Sequence, residues 1–88
     1  MTHRLFIEFL AAEGAVKRML GLIERRGFIL RRISMAELPD GRRASLALEV
    51  EARDPGRSIE TLSRQVERLH GVTGITHQRG FTATEQAA

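Results

Sequence analysis

The chain has 88 residues, enough for one domain with one modest core. It has no Cys, which excludes disulfides, thiolate metal sites and thiol catalysis, and no apolar run approaches the roughly 20 residues of a membrane span. Net charge is +3 although the isoelectric point is 11.0; with Lys17 the one Lys among 14 basic residues and no Tyr, the high value reports arginine usage rather than a strong basic field.

Residues 4–10 alternate and read as a strand. Leu5, Ile7 and Phe9 point one way; Arg4, Phe6, Glu8 and Leu10 point the other. Gly14 closes the loop after it. From Ala15 the apolar residues Val16, Met19, Leu20 and Ile23 form one stripe of a helix, with Glu13 and Lys17 spaced to pair. Gly27 is placed to end that helix, since glycine takes positive φ without penalty. Residues 28–36 form a second strand with poor alternation. Apolar ends around Arg31 and Arg32 suit a sheet edge, where charge discourages unwanted pairing.

Leu38-Pro39-Asp40-Gly41 reads as a hairpin turn. Residues 43–52 are the clearest strand, with Leu46, Leu48 and Val50 inward and Ser45, Ala47, Glu49 and Glu51 outward. Asp54-Pro55 opens a second helix, with Asp54 or Ser58 as its cap, and Ile59, Leu62, Val66 and Leu69 as its stripe. His70 falls in its last turn and Gly71 ends it. Val72 to Arg79 is a short last strand with Ile75 inward, and 80–88 is expected to be a flexible tail after a domain of residues 1–79. The N-terminus lacks the apolar core of a signal peptide, so a cytoplasmic location is expected.

The order β-α-β-β-α-β predicts an α+β domain of the ferredoxin-like kind. That is a four-stranded antiparallel sheet with both helices on one face. The arrangement serves many functions and settles none.

Catalytic chemistry has little to stand on. Glu49 and Glu51 share a strand face with no His near them in sequence. His3, His70 and His77 lack metal-ligand spacing. Small acylphosphatases share the topology and bind phosphate with an Arg and an Asn, but the chain has no Asn. RNA-recognition domains share it too and stack bases on aromatics of strands one and three. Here strand one offers Phe6 and strand three has no aromatic, which makes nucleic acid an unlikely partner. Phe6 and Leu10, on the face away from the helices, are candidates for contact with another chain. Arg31 and Arg32 mark an edge at which a homodimer would pair.

The stretch Gly14-Ala15, then V-x-x-M-L-G-L-I, then Arg26-Gly27-Phe28 and Ile33-Ser34-Met35 resembles the ACT domain of acetolactate synthase small subunits, and most of all their compact form. The resemblance spans residues 4–79 and includes helix two, ending L-H-G-V, with the short last strand. It implies a regulatory subunit without catalytic residues, metal or cofactor of its own. Its partner would be the catalytic large subunit, which holds thiamine diphosphate, magnesium and flavin. It also implies a ligand site in the loop Ala11, Ala12, Glu13, Gly14 and Ala15, with Ile29. Valine-regulated members carry Asn at the positions of Ala11 and Ile29, so a branched-chain amino acid is expected to bind weakly or not at all. Two other readings stay open: a stand-alone ACT module sensing an amino acid for another enzyme, and a small basic RNA-binding module.

Overall fold

A computed structural model describes residues 2–81. The elements are β1 (Thr2–Leu10), α1 (Ala15–Arg25), β2 (Phe28–Glu37), β3 (Arg43–Ala52), α2 (Ile59–Glu67) and β4 (Val72–Phe81). All strands pair antiparallel in the order β2-β3-β1-β4. This is the expected ferredoxin-like α+β arrangement. β1 and β3 are central, and each buries alternate residues: Leu5, Ile7 and Phe9 from one, Ala44, Leu46, Leu48 and Val50 from the other. These meet Met19, Leu22 and Ile23 of α1 and Ile59, Leu62 and Val66 of α2 in one core. Among the described residues the opposite sheet face carries no helix.

β2 is an edge strand, and its poor alternation has a structural cause. Leu30 pairs with Val50, yet Arg32 pairs with Glu49, so Arg31 is an extra residue. A β-bulge of this kind sets two neighbouring residues opposite one on the partner strand. Arg31 and Arg32 then both serve the open face, where Arg31 Nε donates to Glu51 Oε1 at 2.8 Å and Arg32 Nε lies 3.8 Å from Glu49 Oε2. The Arg31 bond holds the Glu51 carboxyl below its ordinary range. Beyond the bulge, Ile33 and Met35 pair with Leu48 and Leu46 and so face the helix side. They lie past the cover of α1 and are 49% and 56% exposed.

The helix ends differ in part from the sequence reading. Gly27 takes φ +87 and ends α1 as expected. Its N–H donates to Glu24 O and its carbonyl accepts from Arg53 N–H, tying α1 to the loop after β3. Ser58, not Asp54, caps α2; its hydroxyl accepts from Thr61 N–H. Asp54-Pro55-Gly56 instead forms a separate turn, in which Asp54 Oδ1 accepts from Gly56 N–H. α2 stops at Glu67, so His70 lies beyond its last turn. β4 runs to Phe81, two residues past the expected domain end, and 82–88 lie outside the described residues. The expected Glu13–Lys17 pair is not among the ion pairs of the described residues.

The hairpin between β2 and β3 is tied by one carboxylate. Gly41 N–H donates to Leu38 O, and Asp40 Oδ1 accepts from the N–H groups of Arg42 and Arg43. The Arg43 N–H first, then its guanidinium, then the Arg42 N–H lower the Asp40 pKa from 3.8 to about 2. A lowered folded pKa means the contribution is present above 3.8 and lost as pH falls toward 2. In an NMR titration, the Arg42 and Arg43 amides should therefore move with a midpoint near 2. Asp40→Asn should abolish the step. A midpoint at the ordinary carboxylate value would show that these bonds do not persist in solution.

Candidate functional site

The β1–α1 loop is built almost wholly from backbone. β1 ends where Leu10 N–H donates to Gly71 O. Ala11 N–H then donates to Arg42 O, Ala12 N–H to Leu10 O and Ala15 N–H to Ala12 O. Gly14 sits at the N-cap with φ +80, a backbone that side chains rarely adopt, and no side chain caps the helix. Helix N-termini leave their first N–H groups unsatisfied. Here Ala11, Ala12 and Ala15 have spent theirs, while Gly14, Val16 and Lys17 have no acceptor among the described residues. Glu13 is exposed and the Ala11 methyl adds no polar contact. The loop can therefore hold a carboxylate by backbone, with the Arg18 guanidinium beside it: its Nη1 lies 3.1 Å from where a Gly14 Cβ would stand.

Ile29 lies elsewhere. It pairs with Glu51 at the start of β2, on the open face and half-buried. Leu10, the last residue before the loop, pairs with Arg43. Arg43 and Glu51 are eight residues apart along β3, which is roughly 27 Å of strand. Within one chain the loop and Ile29 sit at opposite ends of the sheet and do not form one pocket.

The open face carries a second feature. Across the sheet, Arg4, Glu49 and Arg32 form one row, and Phe6, Ala47 and Ser34 form the next. These six, with Leu48, line a shallow hollow of about 510 Å³. Small side chains floor it, and Phe6 is 40% exposed at its side with the Arg4 guanidinium 5.8 Å from the ring centre. Leu10 is exposed on the same face, as expected, two rows away. Sequence reading singled out Phe6 but missed Ser34 and Ala47. Their relevance depends on the register across the bulge. Among the described residues no three His, Asp or Glu side chains gather as metal ligands do, and no helix is long and apolar enough to cross a membrane.

Comparison with known proteins gives a consistent fold and a family. The domain superposes on the ACT domain of a Chlorobium tepidum GTP pyrophosphokinase with a TM-score of 0.71 at 16% identity, covering 88% of this chain and 96% of that one. It superposes on an acetolactate synthase small subunit from Thermotoga maritima with a TM-score of 0.74 at 22% identity, covering 88% of this chain and 47% of that one. It superposes on a formyltetrahydrofolate deformylase from Pseudomonas putida with a TM-score of 0.75 at 8% identity, covering 91% of this chain and 29% of that one. The chain thus spans about half of the small subunit and under a third of the deformylase. No curated protein sequence matches it significantly. Residues 11–75 match the sequence profile described as the ACT domain, which takes in the loop, both helices and β2 to β4 as far as Ile75. On that match this chain belongs to the ACT-domain family, whose domains are regulatory and non-catalytic.

Proposed function

We propose that this chain is the regulatory subunit of an acetolactate synthase, binding and activating a thiamine-diphosphate-dependent catalytic subunit in branched-chain amino-acid synthesis. The observation that carries the reading is the run of motifs from Gly14 through Arg26-Gly27-Phe28 to Met35 in the order seen in such small subunits. The fold likeness to the Thermotoga maritima small subunit supports it. The test is to mix the purified chain with its candidate catalytic subunit, with thiamine diphosphate, magnesium and flavin supplied to the latter. Acetolactate formation should rise on mixing and be absent from this chain alone. A partner that neither binds nor responds would remove the reading.

The second reading, an ACT module serving another enzyme, draws on the equal likeness to domains of the pyrophosphokinase and the deformylase. Co-purification of that other enzyme would favour it. The RNA reading has less support. On the open face Arg31, Arg32 and Arg43 each stand beside a carboxylate, so the face on which such modules stack their bases offers no unopposed basic stripe to a phosphate backbone.

A homodimer fits this role. β2 leaves one row of backbone groups without a strand partner, and Ile33 and Met35 are exposed on its helix side. Antiparallel pairing of β2 with a second copy would cover both residues. It would also carry Ile29 of one copy toward the loop end of the other, bringing the two candidate ligand positions together across the pair. Light scattering at micromolar concentration should give twice the chain mass, and a monomer would count against the pairing.

Valine, leucine and isoleucine should bind weakly or not at all. Each neutral hydrogen bond lost at Ala11 and Ile29 weakens binding by roughly 0.5–1.5 kcal/mol, so together about tenfold to a few hundredfold. The free N–H groups of Gly14, Val16 and Lys17 can still meet a carboxylate, but they do not select a side chain. Titration calorimetry decides this: low-micromolar valine binding would show that these two positions are not where specificity resides. If Ala11→Asn combined with Ile29→Asn folds and still ignores valine, the missing amides are not the cause.

A further inference from the structure

A separate groove lies on the outer side of the domain, between α1 and the end of α2. Lys17, Arg18, Gly21, Arg25 and Leu69 line about 350 Å³. Every charged residue lining it is a cation. Elsewhere Arg31, Arg32, Arg43 and Arg57 are opposed by acids, while Arg26, Arg42, Arg53, Arg64 and Arg68 are scattered without such a pair among the described residues. Among the described residues Lys17, Arg18 and Arg25 enter no ion pair. Positions 17, 21 and 25 recur every four residues, and 18 and 25 every seven, so all four share one helix face. Like charges stacked on one face oppose each other and weaken the helix.

Gly21 adds an independent observation. A glycine in a helix interior costs stability relative to alanine. No neighbouring element crowds this one, because a Cβ there would meet only the guanidinium of Arg25, at 3.1 Å. What the missing side chain provides is room: Arg25 folds back across Gly21, and the floor beside Leu69 stays open. Arg18 likewise folds back over Gly14, with Nη1 3.1 Å from where a Cβ would stand.

We propose that this groove binds a small organic polyphosphate. Guanidinium groups match phosphate oxygens in a fork geometry, and unpaired ones retain that capacity. The Arg18 and Arg25 guanidiniums fold back over Gly14 and Gly21, seven residues or about 10 Å apart along the helix, farther than one phosphate reaches and suited to a phosphate chain. The apolar floor of Gly21 and Leu69 accepts the organic part. The small extent of the groove favours a small molecule over an extended protein surface. At its Arg18 end the groove meets the Gly14 loop, it is apart from the open face of the sheet, and it stands whichever enzyme the chain regulates.

The test is titration calorimetry of the full chain at low salt with ATP, tripolyphosphate and orthophosphate. ATP and tripolyphosphate should bind at least about tenfold more tightly than orthophosphate. Arg18→Gln and Arg25→Gln should each weaken ATP by about tenfold or more, while Arg53→Gln, the same charge change in the loop after β3, should leave it unchanged. Gly21→Ala should keep the helix and weaken binding by displacing Arg25. Circular dichroism checks that each variant folds. Equal affinity for orthophosphate would mean an adventitious ion only, and an equal loss with Arg53→Gln would mean diffuse charge. Tighter binding of hexaglutamate or of a short RNA than of ATP, or no binding of either polyphosphate, would likewise overturn the proposal.

Discussion

Phe9→Ala should leave this domain largely unfolded or close to its threshold. Phe9 is 2% exposed and sits on β1, which is hydrogen-bonded on both sides, to β3 and to β4. Its ring fills the layer between sheet and helices, with no route for solvent to replace it. Deleting a buried phenyl costs about 3–5 kcal/mol, part transfer and part residual cavity. Domains are typically stable by about 5–15 kcal/mol, and small ones lie toward the low end. Urea denaturation would show the loss directly. The control is Phe6→Ala on the same strand, whose ring is 40% exposed and faces away from the core. If both variants lost the same stability, β1 would not be oriented as described.

Phe6→Glu should do the converse, sparing the fold and removing partner activation. Its target is the hollow of Arg4, Phe6, Arg32, Ser34, Ala47 and Glu49. An exposed aromatic beside a floor of small side chains, rimmed by paired charges, has the layout of a binding anchor. Truncating such an anchor typically costs 2 kcal/mol or more, so about thirtyfold in affinity. A carboxylate in its place adds a desolvation cost on docking. Stimulation of acetolactate formation by the variant, measured at fixed catalytic subunit, should fall by about tenfold or more. A variant with normal urea stability and full stimulation would move the docking surface off this face.

Much of this architecture can be read from period alone. The alternation of Leu5, Ile7 and Phe9 and of Leu46, Leu48 and Val50 gives both central strands, because a half-buried strand has to repeat every two residues. The stripe of α1 is read with less accuracy. Met19 and Ile23 are buried as expected, but Leu22 is buried too, while Val16 and Leu20 are only half-buried. Period locates a face but not its centre, which depends on how α1 lies across the sheet. The start of α2 goes astray for a local reason. Asp54-Pro55 has the residues of a helix entrance, yet the Gly56 N–H closes a turn on Asp54 before Ser58 can begin the helix.

The candidate sites show a different limit. Gly14 and Gly27 announce their conformations, since each takes a positive φ that the sequence can suggest. That Ile29 and the Gly14 loop lie at opposite ends of the sheet is implicit in the β-α-β order, because α1 carries the chain back before β2 begins. Grouping the two positions by family motif alone conceals it. The groove of Lys17, Arg18 and Arg25 was hidden for the opposite reason: arginine is so frequent here that three more on one helix carry no signal until their lack of acids is seen.

The bulge at Arg31 makes one residue of β2 expendable to its pairing. Arg31→Ala removes one exposed ion pair, worth at most about 1 kcal/mol. Deleting Arg31 from the chain removes the same side chain and the extra residue with it. Leu30 and Arg32 would then be consecutive and still face Val50 and Glu49, so Ile33 and Met35 keep the helix side and Ser34 and Ala36 the open face. Deleting Ile33 instead, two positions further on, would shift the frame by one and turn Ser34 and Ala36 toward the helices. In this strand length is itself information, and one arginine is its only spare letter.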